Sequence, residues 1–410
     1  SIDSLKLTGQ ILNAQDKSAA TQILVGLYAA NSSDSVIYKD KPLYITKTDA
    51  SGNFSFNYLP DSKFKVAGIK DQNKNLLYDG SEEQIAFNKE PITVKDAENI
   101  SLVLFKETPY KSFIKKLGAQ EYGKAYVIYN KPQLDIFNIK AKSSLTSFEW
   151  NELKDTLTLF YDNKYDTLET YIEYKSKKAD TLLINIFTEK GLKRQGSKIN
   201  YTLKTNISST LPFYELPIFQ LNYPANLKNI SNTKISLIES VNDEPKPLPF
   251  TLLCDTGLIT SFKINALLKP ETNYTLTLLK DAVTNNSNRT NDSTVIRFYT
   301  TNVDDYAQLN MKLLFPKKEN YIVMLFNEKD QLINKSVVEL SLTSTSEKII
   351  AYKNLLPGNY FIRVVEDANK NGHFDTGDYF LNKQPEVIFV NTTAVKLLAG
   401  WEIENEWIVN

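Results

Sequence analysis

Cysteine and histidine are almost missing from this chain: its 410 residues carry one of each, Cys254 and His373. A single cysteine excludes an intrachain disulfide and any multi-cysteine metal cluster. One histidine beside it excludes histidine-based zinc sites and catalytic triads. Glycine is scarce, at 14 residues, and no Gly-rich loop that would cradle a phosphate is present. Net charge is missing too, with Lys plus Arg and Asp plus Glu both at 48. No global field gathers nucleic acid or an anionic membrane, and no basic cluster with interleaved aromatics points to a local nucleic-acid surface. The short basic runs Lys115-Lys116 and Lys175-Ser176-Lys177-Lys178 read as solvated loops. No apolar run approaches the ~20 residues of a membrane-spanning helix. The chain begins at Ser1 with no signal peptide, and the expectation is a processed or truncated chain.

What the chain does have is aromatic and β-branched residues. There are 23 tyrosines and 21 phenylalanines, with abundant Thr, Ile and Val, and these favour strands over helices. Short period-two runs such as Leu5-Lys6-Leu7-Thr8-Gly9-Gln10-Ile11-Leu12 and Phe54-Ser55-Phe56-Asn57-Tyr58-Leu59 are bounded by turn residues, the pattern of β-sandwiches. The one helix-like stretch is short, Tyr110 to Leu117. Cys254 follows Thr251-Leu252-Leu253 and reads as a buried, inert thiol at a strand end. At the end of the chain, alternation places Trp401, Ile403, Asn405 and Trp407 on one side of a final core strand. The fold class expected is all-β, a tandem of sandwich domains.

One stretch demands a particular ligand. Asp367 to Asp378 reads Asp-Ala-Asn-Lys-Asn-Gly-His-Phe-Asp-Thr-Gly-Asp. Oxygen-bearing side chains thus fall at loop positions one, three, five, nine and twelve, with glycine at six, which is the pattern of a calcium loop. The candidate ligands are Asp367, Asn369, Asn371, Asp375 and Asp378, with His373 at position seven offering its backbone carbonyl. A second copy runs from Asp71 to Glu82. Here the candidates are Asp71, Asn73, Asn75, Asp79 and Glu82, with Leu77 at position seven and Leu76 in place of the turn glycine. The bland alternative for both stretches is an ordinary Asn/Gly-rich turn. The flanks repeat as well: Leu59-Pro60 matches Leu356-Pro357, and Asn88-Lys89-Glu90-Pro91 matches Asn382-Lys383-Gln384-Pro385. A whole domain is therefore expected once at each end.

Leu7-Thr8-Gly9-Gln10-Ile11, the turn Thr48-Asp49-Ala50-Ser51-Gly52-Asn53-Phe54 and the Leu-Pro before a strand resemble the prealbumin-like, carboxypeptidase-regulatory-like surface domains of bacteria. Leu268-Lys269-Pro270-Glu271-Thr272-Asn273-Tyr274-Thr275-Leu276 resembles the Ig-like modules of bacterial surface proteins, where Tyr274 would be a core or corner tyrosine. The domains expected are 1–106, prealbumin-like with a calcium loop; 107–206 and 207–302, Ig-like; and 303–410, prealbumin-like with a calcium loop. That order is similar to the Ig-like-domain cell-surface lipoproteins of Bacteroidota-type bacteria. The resemblance implies an extracytoplasmic protein on the outer membrane, surface exposed and held to the membrane only by a lipid on a cysteine before Ser1. Its partners would be outer-membrane or surface proteins.

The expectation is a non-enzymatic, Ca2+-stabilised scaffold or binding subunit, a semi-rigid rod of modules, and the resemblance implies an outer-membrane protein assembly or secretion complex as its setting. A carbohydrate-binding or adhesin module and a surface glycoside hydrolase are the alternatives. The triplets Asp3-Ser4-Leu5, Asp34-Ser35-Val36, Asp155-Thr156-Leu157, Asp166-Thr167-Leu168, Asp180-Thr181-Leu182 and Asp292-Ser293-Thr294 match an O-glycan acceptor pattern of the same bacterial group. They also match how a strand begins after a turn.

Overall fold

Period-two burial builds the strands. Along Ala307–Leu314, Ala307, Leu309, Met311 and Leu313 are buried while the residues between them face outward. A computed structural model of the chain describes residues 5–96, 99–142, 145–162, 166–175, 178–188, 201–241, 244–254, 258–285, 288–341 and 346–410. Within these residues the regular secondary structure is nearly all strand, arranged as tandem β-sandwiches.

The first sandwich holds β1 (Leu5–Asn13), β2 (Leu24–Ala29), β3 (Tyr44–Lys47), β4 (Asn53–Leu59), β5 (Lys63–Ile69), β6 (Gln84–Phe87), β7 (Ile92–Thr93) and β8 (Ile100–Lys106), with one short helix, α1 (Val36–Lys39). The second holds β9 (Ile114–Glu121), β10 (Lys124–Tyr129), β11 (Ile136–Ala141), β12 (Leu145–Trp150), β13 (Thr156–Tyr161), β14 (Thr167–Tyr174) and β15 (Asp180–Asn185). The third runs from β16 (Leu203–Thr205) and β17 (Thr210–Leu211) through β18 (Ile218–Ile230), β19 (Ile235–Val241), β20 (Glu244–Pro247), β21 (Thr251–Leu253), β22 (Leu258–Asn265), β23 (Asn273–Leu278) and β24 (Val283–Asn285) to β25 (Thr294–Thr300). The last holds β26 (Ala307–Leu314), β27 (Asn320–Asn327), β28 (Leu332–Glu339), β29 (Glu347–Leu355), β30 (Gly358–Glu366), β31 (Ile388–Val390), β32 (Val395–Leu397) and β33 (Glu402–Ile408).

First and last sandwiches match strand for strand. β1 runs antiparallel to β4 and parallel to β8, as β26 does to β29 and β33. β2 lies between β3 and β5, as β27 lies between β28 and β30. β5 carries β6 and β7 on its far side, and β30 carries β31 and β32. The duplication read from the loop flanks is therefore a duplication of topology.

The chain divides into two compact units. One joins residues 1–110 to 306–410, and the other is 111–305. The terminal sandwiches are thus packed on each other, where the sequence suggested modules in line. In the middle unit each sandwich has its own core, and Phe160 of the second also enters the core of the third. Tyr223 there donates its hydroxyl to the Tyr122 carbonyl, and the Arg289 guanidinium lies over both rings. Tyr274 is 1% exposed and stacks on Phe298 at 5.4 Å. Its oxygen accepts the Lys269 N–H at 2.8 Å, so it is at once a core and a corner tyrosine. Tyr274→Phe strands that N–H and should lower the stability of the middle unit by about 1 kcal/mol in denaturant titration. An unchanged midpoint would show that the corner bond contributes nothing.

Three local expectations need correction. The helix expected over Tyr110 to Leu117 is absent. β9 occupies Ile114–Glu121 and pairs along β10, because a short helix is marginal without tertiary packing and the β10 edge offers backbone partners instead. Trp401 lies before β33 and is 47% exposed, so packing falls to Ile403 and Trp407, which rest half-buried against the last core. Cys254 is half-buried against the third core, just past β21. Of the Asp-Ser/Thr triplets, Thr181 and Ser293 are exposed, while Asp3 and Ser4 lie outside the described residues.

Candidate metal centre: a pair of oxygen-rich loops

Each loop begins where a central strand stops. Asp71 follows β5 and Asp367 follows β30, at equivalent points of the twin sandwiches. In the first loop the Asp71 carboxylate accepts the N–H groups of Lys74 at 2.7 Å, Asn75 at 3.2 Å and Leu76 at 3.0 Å. In the second, Asp367 accepts those of Asn371 at 3.1 Å and Gly372 at 2.9 Å. These bonds wind the chain tightly around the first carboxylate, and the winding takes positive φ at matched places: Lys74 and Leu76 in one loop, Lys370 and Gly372 in the other. Glycine suits the sixth position, and Leu76 adopts the same turn at φ 66° with the strain of a side chain in the left-handed region.

The third and fifth positions repeat the logic. Asn73 and Asn369 accept the N–H of the residue two further on, each at 3.1 Å, and Asn75 and Asn371 do the same at 2.7 Å. The donors in that last pair are Leu77 and His373 at position seven; the His373 ring is exposed. The ninth-position carboxylates complete the ring. Asp79 accepts the amides of Asn73 at 2.6 Å and Asn75 at 3.0 Å, and Asp375 accepts those of Asn369 and, at 3.0 Å, Asn371. Positions one, three, five and nine therefore converge in both loops.

The twelfth positions do not join them. Glu82 is exposed, and Asp378 turns to its own hairpin, accepting the Leu381 N–H at 2.8 Å. A different carboxylate braces the backbone of each loop. Glu83 accepts the N–H groups of Gln72 at 2.9 Å and Asp79 at 3.2 Å. Glu386 accepts those of Ala368 at 3.0 Å and Asp375 at 2.9 Å. Both tie the second loop position to the ninth, although one follows its ninth position by four residues and the other by eleven. Both stand two residues before the isoleucine that enters the next strand, Ile85 or Ile388. Reading the phrase Glu-x-Ile after each loop would have found them.

The electrostatics ask for a positive partner. Asp367 is 1% exposed and Glu83 3%. Burial pushes the Glu386 carboxyl up, as do Asp375 and Asp367 beside it. Among the described residues no Lys or Arg pairs with Asp71, Asp79, Glu83, Asp367, Asp375 or Glu386. Nor do any three Asp, Glu, His or Cys side chains there lie close enough to hold a metal unaided, so amides and backbone carbonyls must complete any shell. Each amide has its oxygen on the same carbon as its nitrogen, so a half-turn exchanges donor for acceptor. Carboxylates, amides and a carbonyl on a flexible frame fit a hard, oxygen-seeking cation.

No known family matches the chain, and no curated protein does. Solved structures similar to it include BcpA, the major pilin subunit of Bacillus cereus, at 8% identity over 99% of both chains with a TM-score of 0.18. Others are the Yersinia pseudotuberculosis adhesin InvE, at 12% identity over 48% of this chain and 60% of that one with a TM-score of 0.16, and native alpha-2-macroglobulin from Escherichia coli, at 12% over 71% and 98% with a TM-score of 0.20. Superpositions this poor carry no argument. The sheets themselves define the class, a tandem of β-sandwiches.

Proposed function

We propose that the protein is a non-enzymatic, calcium-stabilised scaffold or binding subunit working outside the cytoplasm. The observation that carries this is the pair of matched loops in matched sandwiches, each wound on its first aspartate with its third, fifth and ninth oxygen side chains linked and, among the described residues, without a basic partner. Repetition at the same topological point suits architecture better than catalysis, since a catalytic site needs asymmetry around a substrate. Calcium at such loops fits a compartment where the ion is plentiful. Among the described residues, the clefts beside Phe250 and Trp150 are lined without a carboxylate, and in the one beside Tyr28 the lining Asp34 is paired with Lys65 at 2.7 Å. A glycosidase works with two facing carboxylates.

Among the described residues no helix is long and apolar enough to cross a membrane. Attachment to the outer membrane through a lipid, and partnership with outer-membrane or surface proteins, rest on the sequence resemblance alone. Calorimetric titration of the purified chain with Ca2+ should show two sites. A flat titration would remove the calcium part of the reading, and turnover of a glycan in an activity screen would remove the non-enzymatic part.

A further inference from the structure

The C-terminal loop does more than close on itself. Between Asp375 and Glu386, both fixed to the loop frame, runs a segment that reaches the first sandwich through four hydrogen bonds. Thr376 donates to the Lys106 carbonyl at 2.7 Å, the Tyr379 N–H to the Glu107 carboxylate, Asn382 to the Lys89 carbonyl at 3.4 Å and Gln384 to the Phe87 carbonyl at 2.9 Å. Tyr379 packs edge-on to Phe87 at 5.0 Å and against Tyr38, inside an apolar cluster built from the outer face of the first sandwich. Gly377 lies so close that a Cβ there would sit 2.5 Å from the Phe105 ring and 2.7 Å from the Lys383 carbonyl.

Glu107 has a second role. Its other oxygen accepts the hydroxyl of Tyr78 at 2.6 Å, and Tyr78 is position eight of the first loop. The same carboxylate therefore ties one loop to the segment carried by the other. Burial first, then the charges of Glu107 and Asp378, push the half-buried Tyr38 beside them up to about 12, so the junction sets aromatic packing beside polar contacts.

We propose that residues 376–384 are a calcium-set latch. Occupation of the C-terminal loop orders this segment and holds the terminal sandwiches closed, and Glu107 makes the two loops bind calcium cooperatively. The proposal rests on the calcium reading above. If filling one loop favours the closed junction and the junction favours the other loop, linkage requires each to raise the other's affinity.

Hydrogen exchange by mass spectrometry, with calorimetric Ca2+ titration, tests this on the full chain. In the unsubstituted protein, Ca2+ should slow exchange across 376–384 by about tenfold or more, a local-opening effect. Gly377→Val keeps every loop carboxylate and amide, so it should bind two ions yet lose that protection. Asp375→Ala should weaken the first loop by about fivefold or more, and in a Glu107→Ala background the same change should leave the first loop's affinity where it was. Should Gly377→Val fail to fold, Thr376→Val and Gln384→Ala, which each delete one bond without crowding, should give the same loss in part. Two-site binding that leaves 376–384 unprotected, or a first loop indifferent to Asp375→Ala, overturns the latch alone. No binding and no change in exchange anywhere overturns the calcium reading and the latch together.

Discussion

Chelating divalent cations should melt the terminal unit on the order of 10–20 °C below its midpoint in calcium held at about a hundred times the dissociation constant. A ligand that binds only the folded state adds about 2.7 kcal/mol per site at that excess. Two filled loops therefore add about 5 kcal/mol, and a unit of this size moves by about 2–4 °C per kcal/mol. The cause is local: without a cation the loop carboxylates have no positive partner among the described residues, and two of them, Glu83 and Asp367, are buried. The middle unit carries neither loop, so its own transition is the internal control in the same calorimetric scan. Equal shifts in both transitions, or none in either, would refute the prediction.

Phe262→Ala should give the converse pattern. Phe262 is 1% exposed and stacks on Phe219 with centroids 5.2 Å apart and planes 21° from parallel, so truncation removes the centre of the third core. Such a change costs about 3–5 kcal/mol, part from lost burial and part from the cavity left behind. The middle transition should fall by about 10 °C, while the terminal one keeps its midpoint. Adding Phe219→Ala should cost less than the two changes summed, because each ring loses a partner already gone. If Phe262→Ala moved both transitions equally, the division into two units would not describe the chain's cooperativity.

What could be read from the sequence was what local geometry dictates. Alternation marked Leu309, Met311 and Leu313 as one buried face, and the strand period is a property of adjacent residues. The one-three-five-nine spacing marked Asp71 and Asp367 because a carboxylate that winds its own loop must find its donors four and five residues on. The final carboxylate was not legible by counting to twelve. Strand pairing, not loop length, sets where Glu83 and Glu386 stand, so the two lie at different distances along the chain and at the same place in space. The helix at Tyr110 failed for a similar reason, since the β10 edge decides what Ile114 to Glu121 become. Nothing local announced that the terminal sandwiches meet. Phe87, Phe105 and Tyr379 look like ordinary alternating core residues, and the bonds among their neighbours span 270–297 positions.

That long span also sets an order of events. A chain made from its N-terminus completes residues 1–110 and then the whole middle unit before the segment that covers Phe87, Phe105 and Tyr78 exists. Through that interval the first sandwich keeps an aromatic face without its cover. Contacts so distant in sequence form slowly, and an uncovered apolar face invites the wrong neighbour. Newly made protein is therefore most vulnerable until residues 376–384 appear. Removing residues 376–384 would leave the first sandwich permanently in that unfinished state.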